Sequence, residues 1–368
     1  MRIAFLDPVG WDYDIDTPLT QPLGGSQSAL CYLAAEFAAL GHDVTLINHI
    51  ATRRESQGVV CLPWSEATNM DLNQADVVIV SNAGKGSRLR MDSVRAPLVL
   101  WTGHPHTQRA VQRLQNAEER DAWTGFAFVS SWQCENYVKS FAIPPQRVRV
   151  LHNGIGRPFA EQEPLRPWFL QRSAPVLAYT SVPSRGLNVL LNAFPAIQVA
   201  FPDARLRVYS NMSIYRIPPE KDPFRALYHR SQQMHGVEYV GPVSQTQLAG
   251  ELANTAIIAY PATVAETFCL AIAEGMALGA SIITTRLGAI PELYGEFPRM
   301  LEISDDRARL AEEFGSVSVD AIRSILADPD REYSRRKTQI EFIRSRYCWS
   351  LIAPQWLIWL DELLGSGR

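Results

Sequence analysis

Short runs of consecutive apolar residues alternate along this chain with longer stretches whose apolar positions recur at helical spacing. In the first half, 2–6, 43–48, 77–80, 98–101, 126–129 and 148–151 have strand length. They are continuously apolar instead of alternating, which predicts a parallel sheet covered on both faces. Between the first two, 26–40 has the helical spacing and ends at Gly41, a natural C-cap. Strand, glycine-containing turn, helix and strand make a βαβ unit.

The pattern stops and restarts. Asn153-Gly154 is followed by Pro158, Pro164, Pro167 and Pro175 with few periodic apolar positions, which predicts a linker. Beyond it, 176–180, 205–209, 237–240, 256–260 and 281–285 read as strands. Helical patterns fill about 188–201, 245–253, 267–279 and 305–327. Two doubly wound α/β units in series account for this order. The tail, about 333–364, reads as one helix carrying Trp349, Leu351, Ile352, Trp356, Trp359, Leu360, Leu363 and Leu364. So many large apolar side chains predict a packed helix.

Composition narrows the class. With 368 residues, 46% apolar and 20% charged, the chain can bury a substantial core, which excludes global disorder. Lys and Arg number 35 against 38 Asp and Glu, a formal net charge of −3, which argues against a dedicated nucleic-acid binder. The five cysteines form no CxxC pair and predict unpaired, mostly buried thiols in a reducing compartment. The apolar run at the N-terminus is short for a signal peptide, and no uncharged apolar run reaches about 18 residues. A cytoplasmic protein without a spanning helix is the expectation.

The chemistry concentrates where predicted strands end. After the strand closing at Tyr260, a turn leads to a helix expected to start near Thr267 or Phe268. In an open α/β sheet this carboxyl-end crevice holds ligands. A helix start there offers the amides of Phe268, Cys269 and Leu270 to an anion. Glu266 stands just before that helix and Glu274 two turns into it. Arg185 follows the strand at 176–180, and a permanent guanidinium suits a diphosphate. Gly24 and Gly25 precede a helix starting near Ser26, where bare backbone can approach a phosphate or sugar. His104 and His106 lie just past the strand ending at Trp101. Two patterns fail as motifs. Asp12-Tyr13-Asp14-Ile15-Asp16 lacks the glycine and glutamate of a calcium loop and reads as an acceptor-side or solvated loop. Gly84-Lys85-Gly86-Ser87 lacks the upstream glycine of a P-loop.

The spacing Glu266-x7-Glu274 resembles that of the retaining glycosyltransferases of family 4. Further segments resemble the same family in the same order. They are Gly24-Gly25-Ser26-Gln27, His152-Asn153-Gly154-Ile155, Ser184-Arg185-Gly186-Leu187, Gly288-Ala289-Ile290-Pro291-Glu292 and the terminal tryptophan helix. The resemblance implies a GT-B fold, two Rossmann-like domains facing a central cleft. Residues 1–157 would form the acceptor-side domain and 158–344 the donor domain, with the helix from about 345 returning to the first. It implies transfer from a nucleotide-diphosphate sugar, UDP- or GDP-linked, with retention, by a front-face route needing no metal and no resident cofactor. Glu274 would bind the ribose and Glu266 the donor sugar. Arg185, Gly24, Gly25, Thr267, Phe268, Cys269 and Leu270 would hold the donor, with His104 (or His106) beside the sugar.

The family pattern pairs its arginine with a lysine a few residues on. Here Arg185 stands alone. The acceptor class, whether saccharide, lipid-linked, protein or small molecule, has no code in loops 8–24, 51–70 and 82–96. Lys85, Arg88, Arg90 and Arg95 would suit an anionic acceptor or a peripheral membrane contact, a solvated basic loop being the ordinary alternative. A nucleotide-sugar epimerase and a non-catalytic binding module are the rival readings.

Overall fold

The structure, a computed structural model, describes residues 1–365. It divides into two compact units. The first comprises Met1–Pro18, Gly25–Gly154 and the chain from Tyr347, and the second Leu19–Gly24 and Ile155–Arg346.

The first unit is built on β1 (Arg2–Leu6), β2 (Asp43–Asn48), β3 (Arg54–Ser56), β4 (Val59–Pro63), β5 (Val77–Ser81), β6 (Leu98–Thr102), β7 (Gly125–Phe128) and β8 (Val148–Val150). The order is β3-β4-β2-β1-β5-β6-β7-β8, parallel throughout except for the antiparallel β3–β4 pair. Strands β5 and β6 are buried along their whole length, as their unbroken apolar runs require.

Three first-unit expectations need correction. Segment 51–70 contains the β3–β4 hairpin, whose turn residues Gln57 and Gly58 have φ of 49° and 75°. Positive φ at both positions matches the twist of a two-residue hairpin. The Asp12–Asp16 stretch is fastened to that hairpin instead of solvated. Tyr13 and Ile15 are buried, Arg54 Nε meets Asp14 at 2.9 Å, and Gln57 Nε2 donates to Asp16 at 2.7 Å. Segment 82–96 holds the helix Gly86–Met91, whose N-terminus is capped by buried Glu119 through the amides of Gly86 (2.6 Å) and Ser87 (3.1 Å). Arg90 turns inward, donating to the carbonyls of Val94 (2.9 Å), Ala96 (2.8 Å) and Ala122 (3.1 Å), while Arg88 pairs with Asp92. Of the four basic residues, Lys85 and Arg95 are exposed without such a structural use.

The predicted single tail helix is two helices. Pro329–Arg344 buries Ile340 and Ile343 in the second unit, and Trp349–Gly365 buries its indoles in the first. The helical path is interrupted at 345–348. Trp356 meets Trp101 edge-on with centroids 5.3 Å apart. A Cβ at Gly125 would lie 2.9 Å from Trp359, and one at Gly154 2.6 Å from Trp349, so bare backbone at both points lets the indoles close in.

The second unit contains β9 (Val176–Tyr179), β10 (Arg205–Val208), β11 (Val237–Tyr239), β12 (Ile257–Tyr260), β13 (Ser281–Thr285) and β14 (Arg299–Leu301), in the order β11-β10-β9-β12-β13-β14 and all parallel. This is the doubly wound Rossmann order, which reverses between β9 and β12. The first sheet reverses likewise between β1 and β5. The proline-rich stretch expected to be a linker forms the short helices Arg157–Glu161 and Trp168–Gln171, which bury Phe159, Trp168 and Phe169. Among the described residues no helix is long and apolar enough to cross a membrane. All five cysteines are unpaired, with Cys31, Cys61 and Cys269 buried.

Candidate functional site

Ligands of open α/β sheets sit at the carboxyl ends of the strands flanking the reversal. In the second unit these are β9 and β12. After β9 the chain makes a 3-10 turn, Pro183–Arg185, then Gly186 opens the helix Leu187–Ala200. Gly186 has a φ of 126°, and a Cβ there would lie 2.1 Å from the Pro261 carbonyl oxygen. The two loops therefore meet backbone to backbone, and Thr263 Oγ1 donates to Ser184 O at 3.2 Å across the same seam.

That seam brings Arg185 Nη1 onto Glu266 Oε1, and the Tyr260 hydroxyl donates to the same oxygen. The Glu266 side chain is 8% exposed and that of Arg185 29%. Burial works against the Arg185 charge, but the Glu266 carboxylate outweighs it and holds the guanidinium above its ordinary value. Burial, then the same carboxylate, push the Tyr260 phenol well up, so Tyr260 acts as a donor.

The backbone of Glu266 is clasped as well. Ala289 N donates to Glu266 O at 2.8 Å, and Gly288, with a φ of 63°, passes so close that a Cβ would lie 2.4 Å from that oxygen. The helix after Glu266 starts later than the pattern suggests, running Leu270–Ala277. Cys269 is its N-cap residue, with φ 69° and ψ 73°, a left-handed conformation that ends the helical path. Tyr294 fixes this corner by donating to the carbonyls of Phe268 (2.6 Å) and Cys269 (3.0 Å). Of the three expected anion-facing amides, Leu270 opens the helix, while Phe268 and Cys269, like Thr267, belong to the preceding loop. Glu274, on the fifth position of the helix, is 5% exposed and accepts from Gln245 Nε2 at 3.1 Å. Burial pushes its carboxyl up to about 8 against that hydrogen bond, so it is largely protonated at neutral pH. Gly275 follows it, and a Cβ there would strike Ile258 of β12 at 2.2 Å.

Arg185, Glu266 and the start of the helix are thus assembled by one pair of loops, with Glu274 on that helix. Sequence reasoning passed over Tyr260 and Gln245. The available signal was a tyrosine closing a core strand six residues before Glu266, where its polar tip needs a partner.

Gly24 falls in the second unit, within Leu19–Gly24, while Gly25 opens the first-unit helix Gly25–Ala39. His104, also in the first unit, sits in the loop after β6. Its amide donates to Thr102 Oγ1 at 3.0 Å, and its carbonyl accepts from Gln133 Nε2 (2.8 Å) and Tyr137 OH (2.9 Å). His106 Nδ1 is buried without a hydrogen-bond partner among the described residues. At the first sheet's own reversal Asp7 is 1% exposed and accepts from Tyr13 OH (2.6 Å), Gln27 Nε2 (3.1 Å) and Val9 N (3.2 Å). Burial raises its carboxyl despite these donors.

Residues 174–318 match the family model described as "Glycosyl transferases group 1". A curated relative, the MMP alpha-(1->4)-mannosyltransferase of Mycolicibacterium hassiacum, is 26% identical over 269 residues, 71% of this chain and 58% of the relative. The chain spans 58% to 60% of the length of the first curated relatives it matches. Among solved structures, sucrose-phosphate synthase from Thermosynechococcus elongatus superposes with a TM-score of 0.72 at 15% identity, covering 100% of both chains. Anabaena HepE in complex with UDP-glucose gives 0.71 at 15% identity, again covering 100% of both. These likenesses, with the two parallel α/β sheets, show that the chain has the GT-B fold, and the Arg185–Glu266 pair lies inside the segment that matches the glycosyl transferase model.

Proposed function

We propose that this chain is a hexosyl-type glycosyltransferase, moving a sugar from a nucleotide-diphosphate donor to an acceptor hydroxyl with retention at the anomeric carbon. The observation that carries the reading is the buried Arg185–Glu266–Tyr260 cluster at the reversal of the second sheet. Arg185 spends one of its N–H groups on Glu266, and the guanidinium fork has others to offer a diphosphate that gains charge as its bond to the sugar breaks. The start of the helix Leu270–Ala277 adds amides and the positive end of its dipole. Glu274 takes the ribose, and Glu266, fixed by its partners, takes the donor sugar. Thr267, Phe268 and Cys269 line the approach. The UDP-glucose complex of the Anabaena neighbour supports a nucleotide-sugar donor.

Glu266 is engaged by a cation and a hydroxyl, which makes it a poor covalent nucleophile and favours a front-face displacement. In that step the bond from the anomeric carbon to the diphosphate oxygen breaks, and its electron pair leaves with the diphosphate. The acceptor oxygen bonds to the same face, and its proton passes to the leaving phosphate oxygen. The products are a glycoside and a nucleoside diphosphate. Arg185 and the helix start carry the electrostatic load, so the reaction proceeds without a metal or a resident cofactor. The unpaired cysteines favour a reducing, cytoplasmic setting.

The test is a thermal-shift screen of UDP-, GDP- and ADP-sugars, followed by NMR of the product anomer with and without chelator. One donor should raise the melting temperature and yield a product of unchanged anomeric configuration in EDTA. No shift with any nucleotide or nucleotide sugar would sink the reading, and acceptor-free conversion of the donor would replace it with an isomerase.

A further inference from the structure

We propose that the exposed His49–Trp64 ring pair of the first unit is a stacking platform for a pyranose ring, and hence that the acceptor is a saccharide. The inference rests on the glycosyltransferase reading for its link to an acceptor and on first-unit geometry for everything else.

The platform follows from strand register. Strands β2 and β4 run parallel, and their last paired residues are Asn48 and Pro63. One residue further, His49 and Trp64 leave their strands side by side on the same face. Parallel strands lie about 4.8 Å apart. The two rings accordingly stack with centroids 5.4 Å apart and planes only 5° from parallel. The backbone beneath is tightly held. Trp64 N donates to Asn48 O at 2.6 Å, and Glu66 N donates to Pro63 O at 2.9 Å, turning the chain directly behind the indole. Asn48 is buried, donates from Nδ2 to Tyr13 O at 2.7 Å and accepts from Ile50 N at 3.0 Å.

Exposure and position give the platform its meaning. Trp64 is 36% exposed and His49 is exposed beside it, an unusual place for two large flat rings held in fixed register. Both stand at the carboxyl ends of their strands, β2 beside β1 and β4 one strand further out, the side of an open sheet where ligands sit. Each ring covers one face of the other, so a pyranose ring would lay its apolar face of C–H bonds on the outer face of the exposed indole. Its equatorial hydroxyls would meet the exposed polar side chains of Arg53, Ser65 and Glu66 nearby in the chain. A protein or membrane site would instead call for a broader apolar patch.

The test uses the full chain saturated with UDP and, as probes, methyl α-mannoside, methyl α-glucoside and maltose, read by saturation-transfer NMR. At least one probe should receive saturation on its ring C–H protons. Trp64→Ala should weaken it by about tenfold or more and Trp64→Phe by less, with His49→Ala between the parent and Trp64→Ala. Far-UV circular dichroism and calorimetric UDP affinity should be unchanged in each variant. Binding of no probe by the parent, or equal binding by parent and Trp64→Ala, overturns the platform. So does Trp64-dependent flotation on phosphatidylcholine vesicles containing phosphatidylglycerol. Loss of UDP binding by the parent with saccharide binding intact would strike the donor reading and leave the platform standing.

Discussion

The two sheets reverse their strand order in the same way and put a buried acid at each reversal, yet the acids are satisfied by opposite means. Asp7, beside β1, is closed in by neutral donors of its own unit, the Tyr13 hydroxyl, the Gln27 amide and the Val9 backbone. Glu266, beside β12, is met by the Arg185 cation and the Tyr260 hydroxyl. A carboxylate surrounded by neutral donors is a finished structural element. A carboxylate paired with a guanidinium leaves a cation with donors to spare, which is what a second anion can use. Topology therefore places the crevice, and the residue types on the two loops decide what it can hold.

The sharpest break of this comparison is Arg185→Ala. Removing one partner of a buried pair leaves the other charge uncompensated, a cost of about 3–5 kcal/mol for full burial. Because the Arg185 side chain is 29% exposed, a value near the lower end is expected. Urea unfolding should show that loss, and turnover should fall with it. Combining Arg185→Ala with Glu266→Ala should restore most of the stability and none of the turnover. A double variant no more stable than the single one would mean that the pair does not behave as a unit.

Glu274 gives the next effect, and its sign is set by the direction of its shift. Its carboxyl stands at about 8 in the folded chain against an ordinary 4.5. Between those values the folded chain keeps a proton that the unfolded chain has released, so stability falls as pH rises, by at most about 1.4 kcal/mol per pH unit. Below the window both states are protonated, and above it the loss is complete. Glu274→Gln stays neutral and keeps an oxygen for Gln245, so its stability should be flatter from pH 5 to 8. Parallel curves for parent and variant in urea titrations would refute the buried, protonated carboxyl.

At the other reversal, Tyr13→Phe removes a 2.6 Å donor from Asp7. The expected loss is about 1–2 kcal/mol in urea unfolding, with nucleotide affinity unchanged in calorimetry. A fall in nucleotide affinity equal to that of Arg185→Ala would erase the distinction between a structural acid and a functional one.

Much of this was legible in the sequence, for a physical reason. Strands β5 and β6 coincide to within one residue with the runs at 77–80 and 98–101, because a strand buried on both faces reads as a near-continuous apolar run. The hairpin strand β3 was hidden because Arg54-Glu55-Ser56 lies at the sheet edge, where polar side chains are tolerated. Strand β14, Arg299–Leu301, is three residues long and too short to show a period. The late helix start at Leu270 escaped because apolar spacing continues through Phe268, and what stops the helix is the Cys269 backbone held by Tyr294, distant in sequence. At the candidate site Glu266 and Arg185 could be singled out because each stands at a strand end. Their direct pairing, and the part of Tyr260 in it, depend on Gly186 letting two loops touch. That closeness has no signature within either loop alone.

The smallest expected effect comes from two residues with left-handed backbone that are not glycine, one in each unit. Ala142 caps the C-terminus of the helix Ser131–Phe141 at φ 51°, and Cys269 caps the start of Leu270–Ala277 at φ 69°. A glycine occupies that region without steric cost but loses more entropy on folding. At a helix C-terminus the first term prevails, so Ala142→Gly should stabilise the chain by about 0.5–1 kcal/mol. At Cys269 the same relief is opposed by the loss of a buried thiol from its packing, so Cys269→Gly should leave the melting temperature nearly unchanged. An equal gain at both positions would show that the Cys269 side chain contributes no packing. Its left-handed backbone would then be fixed by the Tyr294 hydrogen bonds alone, and the helix start would be set entirely from outside the segment that carries Glu266.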